Sequence, residues 1–311
     1  MFNLLPNTYY YLKPFVPARL NFYLRRKYLR YQLNRCRDIW PINEEAGSHP
    51  PGWQGWPDGK QFALVLTHDV EGHSGLKKSY SLAELEMQLG FRSCFNFAAE
   101  EYEQDEKLRQ FLMDSGFEVG LHGLIHQGNL FRSRDVFSKQ LPRINKYLKE
   151  WNAVGFRAPS MYHNLEWIHE LEIEYDASTF DTDPFEPQPD GAITIFPFWV
   201  QNKTTEAGYV ELPYTLPQDF TVFILMQEKD DRIWQKKLDW IVKCGGMALV
   251  IVHPDYMNFN SGKLAIGEYP ANYYRDFLIH IQENYIDMYW HVLPQDISRF
   301  WKQNYSQGGP H

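Results

Sequence analysis

The sequence predicts an α/β fold built on a parallel, fully covered sheet or barrel, and three observations carry that expectation. Short continuous apolar runs alternate with amphipathic ones along most of the chain, as they do where helices cover parallel strands. The charged and ligating residues stand at the C-terminal ends of the apolar runs, where parallel β/α folds carry their functional groups. With 311 residues and 44% hydrophobic content, the chain can bury one large core.

In chain order, residues 1–60 read as an N-terminal extension and 61–311 as the main domain. Residues 1–37 are aromatic and basic, with eight Lys or Arg and no Asp or Glu, leaving 23 basic against 39 acidic residues elsewhere. From Arg19 onward this segment can form an amphipathic helix. It would lie on an anionic membrane surface or pack as a clasp on the acidic main domain, and the clasp is favoured because arginine stems cover apolar surface. The stretch NEEAGSHPPGWQGWPDGK, residues 43–60, is rich in Gly and Pro and reads as a linker. Strands are expected at 62–67, 94–97, 117–122, 153–158, 192–196, 209–213, 221–225, 248–253 and 288–293. Helices are expected at 103–115, 134–151, 165–172, 232–244 and 267–284, each with apolar residues at helical spacing.

The bulk composition excludes several classes. A net charge of -8 speaks against binding nucleic acid through its phosphates. Cys36, Cys94 and Cys244 are odd in number and widely spaced, which fits a reduced cytoplasmic protein better than a disulfide framework or a cysteine zinc site. The first twenty residues lack the pattern of a signal peptide. No run reaches the roughly 18 apolar residues of a membrane span. Aromatic content is high, and core packing accounts for most of the ten tryptophans.

The chemistry collects at four strand ends. FALVLT runs into His68, Asp69 and Glu71; FEVGLH ends on His122, with His126 four residues later in GLHGLIHQGN. AVGFRA delivers Arg157, and ALVIVH delivers His253. Two histidines four apart on a helical turn would aim both imidazoles at one metal ion. Taken singly, Asp69 also reads as a turn cap, Arg157 as an ion-pair partner and His253 as a satisfied core histidine. Taken together around one rim, they favour a metal-assisted hydrolytic site, because so many buried polar groups are costly without a purpose.

The order THDVEG, HGLIH, FRAPS, YDAST and VIVHPD resembles the successive motifs of the polysaccharide deacetylases, carbohydrate esterase family four, over residues 62–254. That resemblance implies a distorted (β/α) barrel, here with an N-terminal extension, and one divalent metal ion, usually zinc. It also implies an enzyme that removes an N-acetyl or other N-acyl group from an amino sugar. The family's first motif has adjacent aspartates, a base and a metal ligand. Here Asp69 matches the base, Val70 occupies the ligand position, and Glu71 takes that role on the pattern of members whose two acids are spaced one residue apart. Asp69 as the ligand is the other assignment.

By the same resemblance His122 and His126 are metal ligands, Arg157 orients the catalytic aspartate, and His253 is the general acid. The substrate-binding set is Tyr162, with a backbone N–H of 160–162 near the oxyanion, Asp176 and Trp199. Asp181 or Asp183 could replace Asp176, and Tyr214 joins Trp199 as a stacking ring or, equally, as core. Expected partners are an amino-sugar or polysaccharide substrate, such as a nucleotide- or lipid-linked sugar in surface-glycan assembly. No nucleic acid is expected, and residues 1–37 offer a peripheral membrane contact. The expected location is the cytoplasm, at the inner face of the membrane. Two competing readings stand beside this one: a non-catalytic glycan-binding protein on the same fold, and a metal hydrolase acting on a non-sugar amide.

Overall fold

Every residue of strand β1 (Phe62–Val70) is buried, so FALVLTHDV lies at the centre of the sheet. In the computed structural model, which describes residues 17–205, 207–260 and 262–306, β8 (Met247–Val252) runs parallel to β1 along residues 63–68. On the other side β11 (Tyr289–His291) pairs the first part of β1, and β2 (Cys94–Phe97) pairs its last four residues. The sheet continues in parallel through β3 (Glu118–Leu121), β4 (Gly155–Phe156), β5 (Tyr175–Asp176) and β7 (Gly208–Glu211). Strand β6 (Phe198–Gln201) is added antiparallel outside β7. Beyond β7 the ring returns to β8 at Thr215, whose N–H donates to Leu249 O (3.1 Å) and whose Oγ1 accepts from Leu249 N (2.9 Å). A curled, distorted parallel barrel results, as the sequence predicts.

Helices cover the outside: α1 (Ala18–Leu33), α2 (His73–Gln88), α3 (Glu106–Asp114), α4 (Arg134–Glu150), the short α5 (Leu165–Ile168), α6 (Arg232–Cys244), α7 (Asn272–Asn284) and α8 (Pro294–Tyr305). Helix α3 starts later than expected, at the point where Asp105 accepts from Leu108 N (3.0 Å) as an N-cap. Helix α6 ends where Gly245 takes a left-handed conformation (φ 72°). Between β8 and α7 a small pair forms, β9 (Met257–Asn258) with β10 (Tyr269–Pro270), shortening the helix expected from 267.

Two expected strands are absent from the described residues. TVFIL lies inside a π-helical turn, Phe220–Met226, capped by Asp219. A short apolar run buried all round carries no period that separates strand from helix. The run at 192–196 is irregular, and the strand forms just after it as β6.

Of the basic N-terminal segment, residues 1–16 lie outside the described residues. Helix α1 packs as a clasp on the π-helical turn: Leu29 is buried, Phe22 meets the Phe220 ring, and Arg26 Nε donates to Ile224 O (3.0 Å). The Gly/Pro-rich stretch holds two short 3-10 turns and places Trp53 and Trp56 against Phe196, Trp290, Phe300 and Trp301. Trp56 Nε1 donates to Gly245 O (2.8 Å), just before β8, so this aromatic cluster plugs the N-terminal end of the barrel.

On α6, Lys237 Nζ reaches Asp181 Oδ2 and Pro41 O, each at 2.5 Å, with both side chains of the ion pair almost wholly buried. Burial pushes the Asp181 carboxyl up to about 6, with Lys237 opposing, so Asp181 can neutralise if its partner is lost. Lys237→Met is therefore expected to cost about 3 kcal/mol, the low end for breaking a buried pair. A lowered urea midpoint with an unchanged slope would register it.

Candidate active site

Four strand ends meet at the C-terminal rim. Asp69 is the penultimate residue of β1 and Glu71 follows its end; His122 follows β3, Arg157 follows β4 and His253 follows β8. Arg157 is fully buried and spreads its guanidinium over three acceptors: Ala177 O (2.8 Å), Thr67 Oγ1 (2.8 Å) and Asp69 Oδ1 (3.0 Å). Asp69 Oδ1 also accepts from Asn96 Nδ2 (2.9 Å). Burial alone would raise the Asp69 carboxyl, but Arg157, then His122 and His253, outweigh it and hold the group well below the usual carboxylate range.

Glu71, His122 and His126 bring one ligand atom each within 4.8 Å of one another. His122 Nδ1 lies 3.0 Å from Arg157 O. A carbonyl only accepts, so Nδ1 carries the proton and Nε2 presents its lone pair. Desolvation lowers the His122 imidazole to about 4, which keeps it neutral. Its Nε2 is buried with no hydrogen-bond partner among the described residues. His126 Nε2 stands 2.9 Å from Glu71 Oε1 without the alignment of a hydrogen bond. A buried lone pair facing a second imidazole and a carboxylate is an unsatisfied arrangement that a divalent cation would complete, so the donor set fits a metal.

The histidine pair does not ride on a helical turn, as its spacing suggests. It sits on an irregular loop in which Gly123 is left-handed (φ 70°) and backs onto Pro159, where a Cβ would come within 2.8 Å of Cγ. The loop stacks the two rings with centroids 5.2 Å apart.

His253 stands on the other side of Glu71, its Nε2 3.5 Å from Oε1. Its Nδ1 meets Asp219 Oδ1 at 2.6 Å, and Asp219 Oδ2 accepts from His253 N and from Tyr269 OH, each at 2.8 Å. Burial opposes protonation of this ring, but Asp219 and then Glu71 raise it to about 10. Glu71 is held in turn: Tyr256 OH donates to Oε2 (2.5 Å), and Asp255 Oδ2 accepts from Glu71 N (2.9 Å).

Asp219, Tyr256 and Asn96 are additions that the sequence did not single out, and Asp255, at the strand end that delivers His253, joins them. Asp219 and Asp255 had a readable signal, an acid in PQDF after an apolar stretch and the acid in HPD. Nothing local announces Asn96, which reaches Asp69 from the adjacent strand.

Of the expected substrate-binding residues, Tyr162 packs its ring against Gly128, two residues beyond His126. The others are engaged in internal contacts. Asp176, the last residue of β5, is fully buried and accepts from Ser178, and burial pushes its carboxyl and that of Glu211 up. Trp199 lies on β6 with its indole over Gly208, at the N-terminal end of β7 and away from the rim. Asp181 is taken by Lys237, and Asp183 accepts from Tyr214 OH (3.0 Å). Tyr214 is itself buried core with its hydroxyl among carboxylates, not a stacking ring.

No family model matches the chain, and no curated protein matches it in sequence. Several solved structures match it in fold. A Mycobacterium smegmatis protein assigned as a polysaccharide deacetylase is 20% identical, covering 82% of this chain and 95% of its own, with a TM-score of 0.62. A Pseudomonas aeruginosa PAO1 protein with the same assignment is 15% identical over 86% and 99%, TM-score 0.65. The PuuE allantoinase is 14% identical over 86% and 99%, also at 0.65. The chain thus has the barrel fold of polysaccharide deacetylases.

Gly120 tests the clamp on Asp69. A Cβ there would lie 2.1 Å from Asn96 Oδ1, so Gly120→Ala must displace the amide that holds the carboxylate. The expected outcome is a loss of about 1–3 kcal/mol in chemical denaturation, with Asn96 displaced from Asp69 in a structure of the variant.

Proposed function

We propose that this chain is a metal-dependent hydrolase, cytoplasmic, that removes an N-acyl group, in the first instance N-acetyl, from an amino sugar. A glycan, nucleotide-linked or lipid-linked sugar of surface-glycan assembly is the substrate class. The observation that carries the reading is the convergence of Glu71, His122 and His126 between a clamped carboxylate, Asp69, and a His253–Asp219 pair.

Glu71, His122 and His126 would hold one divalent ion, and zinc suits one carboxylate with two imidazoles. Such an ion, when bound, supplies Lewis-acid polarisation of the amide and a lowered pKa of water. The chain's own residues move the protons. Asp69, ionised at neutral pH, takes a proton from water as the water oxygen bonds to the acyl carbon. Arg157 and Asn96 fix the carboxylate that does so. The C–N bond then breaks, and the nitrogen must leave as an amine, because an amine anion is a very poor leaving group. His253 donates the required proton from Nε2 while Asp219 holds Nδ1. A carboxylic acid and a free amino sugar result.

The likeness in fold to an allantoinase favours a second reading, a non-sugar amide substrate. A panel of N-acetylglucosamine oligomer, nucleotide-linked acetamido sugar and allantoin separates the two by which compound releases product. The glycan-binding alternative assumes a lost metal site, against which Glu71 beside the two imidazoles speaks.

Elemental analysis of the purified chain should find about one divalent ion per molecule. His122→Ala and Glu71→Ala should each lose it, whereas Asp69→Asn should keep it and lose turnover by roughly 10²-fold or more. Metal loss in Asp69→Asn would make Asp69 the carboxylate ligand. A wild type without metal, even after addition of zinc, nickel, cobalt or manganese, would favour the binding protein.

Removing the charge behind the acid gives a separate check. Asp219→Asn should retain metal and lower kcat by roughly 10²-fold, with the larger loss on substrates having poorer leaving groups. Equal losses across leaving groups would assign the proton delivery elsewhere.

A further inference from the structure

Among the described residues, helix α1 packs on the domain by one face. Phe22, Arg26 and Leu29 face the π-helical turn, and Gln32 Nε2 reaches Pro184 O (3.0 Å). The opposite face carries Leu20, Tyr23, Leu24, Tyr28 and Tyr31, which are 46, 52, 53, 63 and 58% exposed. Their spacing of three and four residues makes a continuous stripe. Single exposed apolar residues are ordinary, but a contiguous row of them marks an interaction surface.

Charge says what kind of surface it meets. Arg19, Lys27 and Arg30 are exposed along the same helix, and residues 17–37 hold seven Arg or Lys and no acid in a chain of net charge -8. Alongside runs a loop with exposed Lys263, Leu264 and Ile266, where Gly267 abuts the Phe22 ring. Leucines and tyrosines interleaved with basic residues suit an apolar layer beneath a sheet of negative charge. A second copy would instead bring two basic faces together.

We propose that this face of α1, with the 263–266 loop, docks on an anionic phospholipid bilayer. Leucine side chains enter the acyl boundary, tyrosines lie at headgroup level, and Lys and Arg meet lipid phosphates. The helix lies on the surface, and among the described residues no helix is long and apolar enough to cross a membrane. Because Phe220 in the underlying turn follows Asp219 directly, docking sets the catalytic rim beside the lipid. The inference is independent of which acyl compound is hydrolysed.

The test is co-sedimentation of the full chain with phosphatidylcholine vesicles, with and without phosphatidylglycerol. Binding is expected only with the anionic lipid and should weaken as salt rises. The double variants Leu24→Ser with Tyr28→Ser, and Lys27→Glu with Arg30→Glu, should each bind about tenfold more weakly or worse. Both should keep the wild-type melting temperature and metal content, since these side chains face water. Absence of binding, equal binding by the variants, or a dimer in solution that the Leu24→Ser, Tyr28→Ser variant dissolves would overturn the proposal. Vesicle binding is read without turnover, so its failure and failure of the hydrolase reading are distinguishable.

Discussion

The buried guanidinium of Arg157 is the constraint on which the rim depends. Placing a charge inside the barrel costs several kcal/mol unless its donors are matched. Three acceptors from the ends of two strands meet its Nε and Nη1: Thr67 Oγ1 and Asp69 Oδ1 on β1, and Ala177 O just after β5, while Nη2 has no hydrogen-bond partner among the described residues. The same residue's backbone carbonyl accepts a hydrogen bond from His122 Nδ1–H. Arg157 thus keeps Asp69 ionised and turns the His122 lone pair toward Glu71 and His126. Substituting lysine would keep the charge but not the fork that reaches all three acceptors.

Much of this was legible in the sequence because it follows from alternation. Continuous apolar strands ending on Asp69, Glu71, His122, Arg157 and His253 need a parallel barrel only to bring their ends together, and every one of these residues reached the rim. What local pattern could not supply was the partner across space. Asn96 is one polar residue in the buried CFNF, yet it faces Asp69 from the neighbouring strand. Helix α2 starts without a polar N-cap of its own, because Asp255, far along the chain, accepts from Gly75 N (2.9 Å).

Misplaced residues share a cause. Asp176, Trp199 and Tyr214 lie in segments where polar and aromatic side chains are internal structure, so residue type alone could not separate a groove from a core. Burial pushes the Asp176 and Glu211 carboxyls up, and Ser178 and Thr179 supply the hydrogen bonds they accept. The histidine pair shows the converse: the right residues, but carried by a glycine-bent loop. Four-residue spacing constrains two side chains to one side on a helix, whereas here packing of Gly123 on Pro159 does that work.

The two ends of the barrel then divide the labour. Tryptophans from the Gly/Pro-rich stretch, β11 and α8 close the N-terminal end, where apolar burial is the main stabilising term. At the open end several polar groups are tied to one another, among them Tyr256 OH to Glu71, with the Tyr256 ring against Phe220 (4.9 Å). Phe220 also lies under the Arg25 guanidinium of α1, 4.6 Å from its ring centre. A side chain that positions the carboxylate is therefore packed, through one aromatic ring, on the helix that clasps the rim. Movement of α1 has a direct steric route to Glu71, and a fixed α1 holds that carboxylate in place.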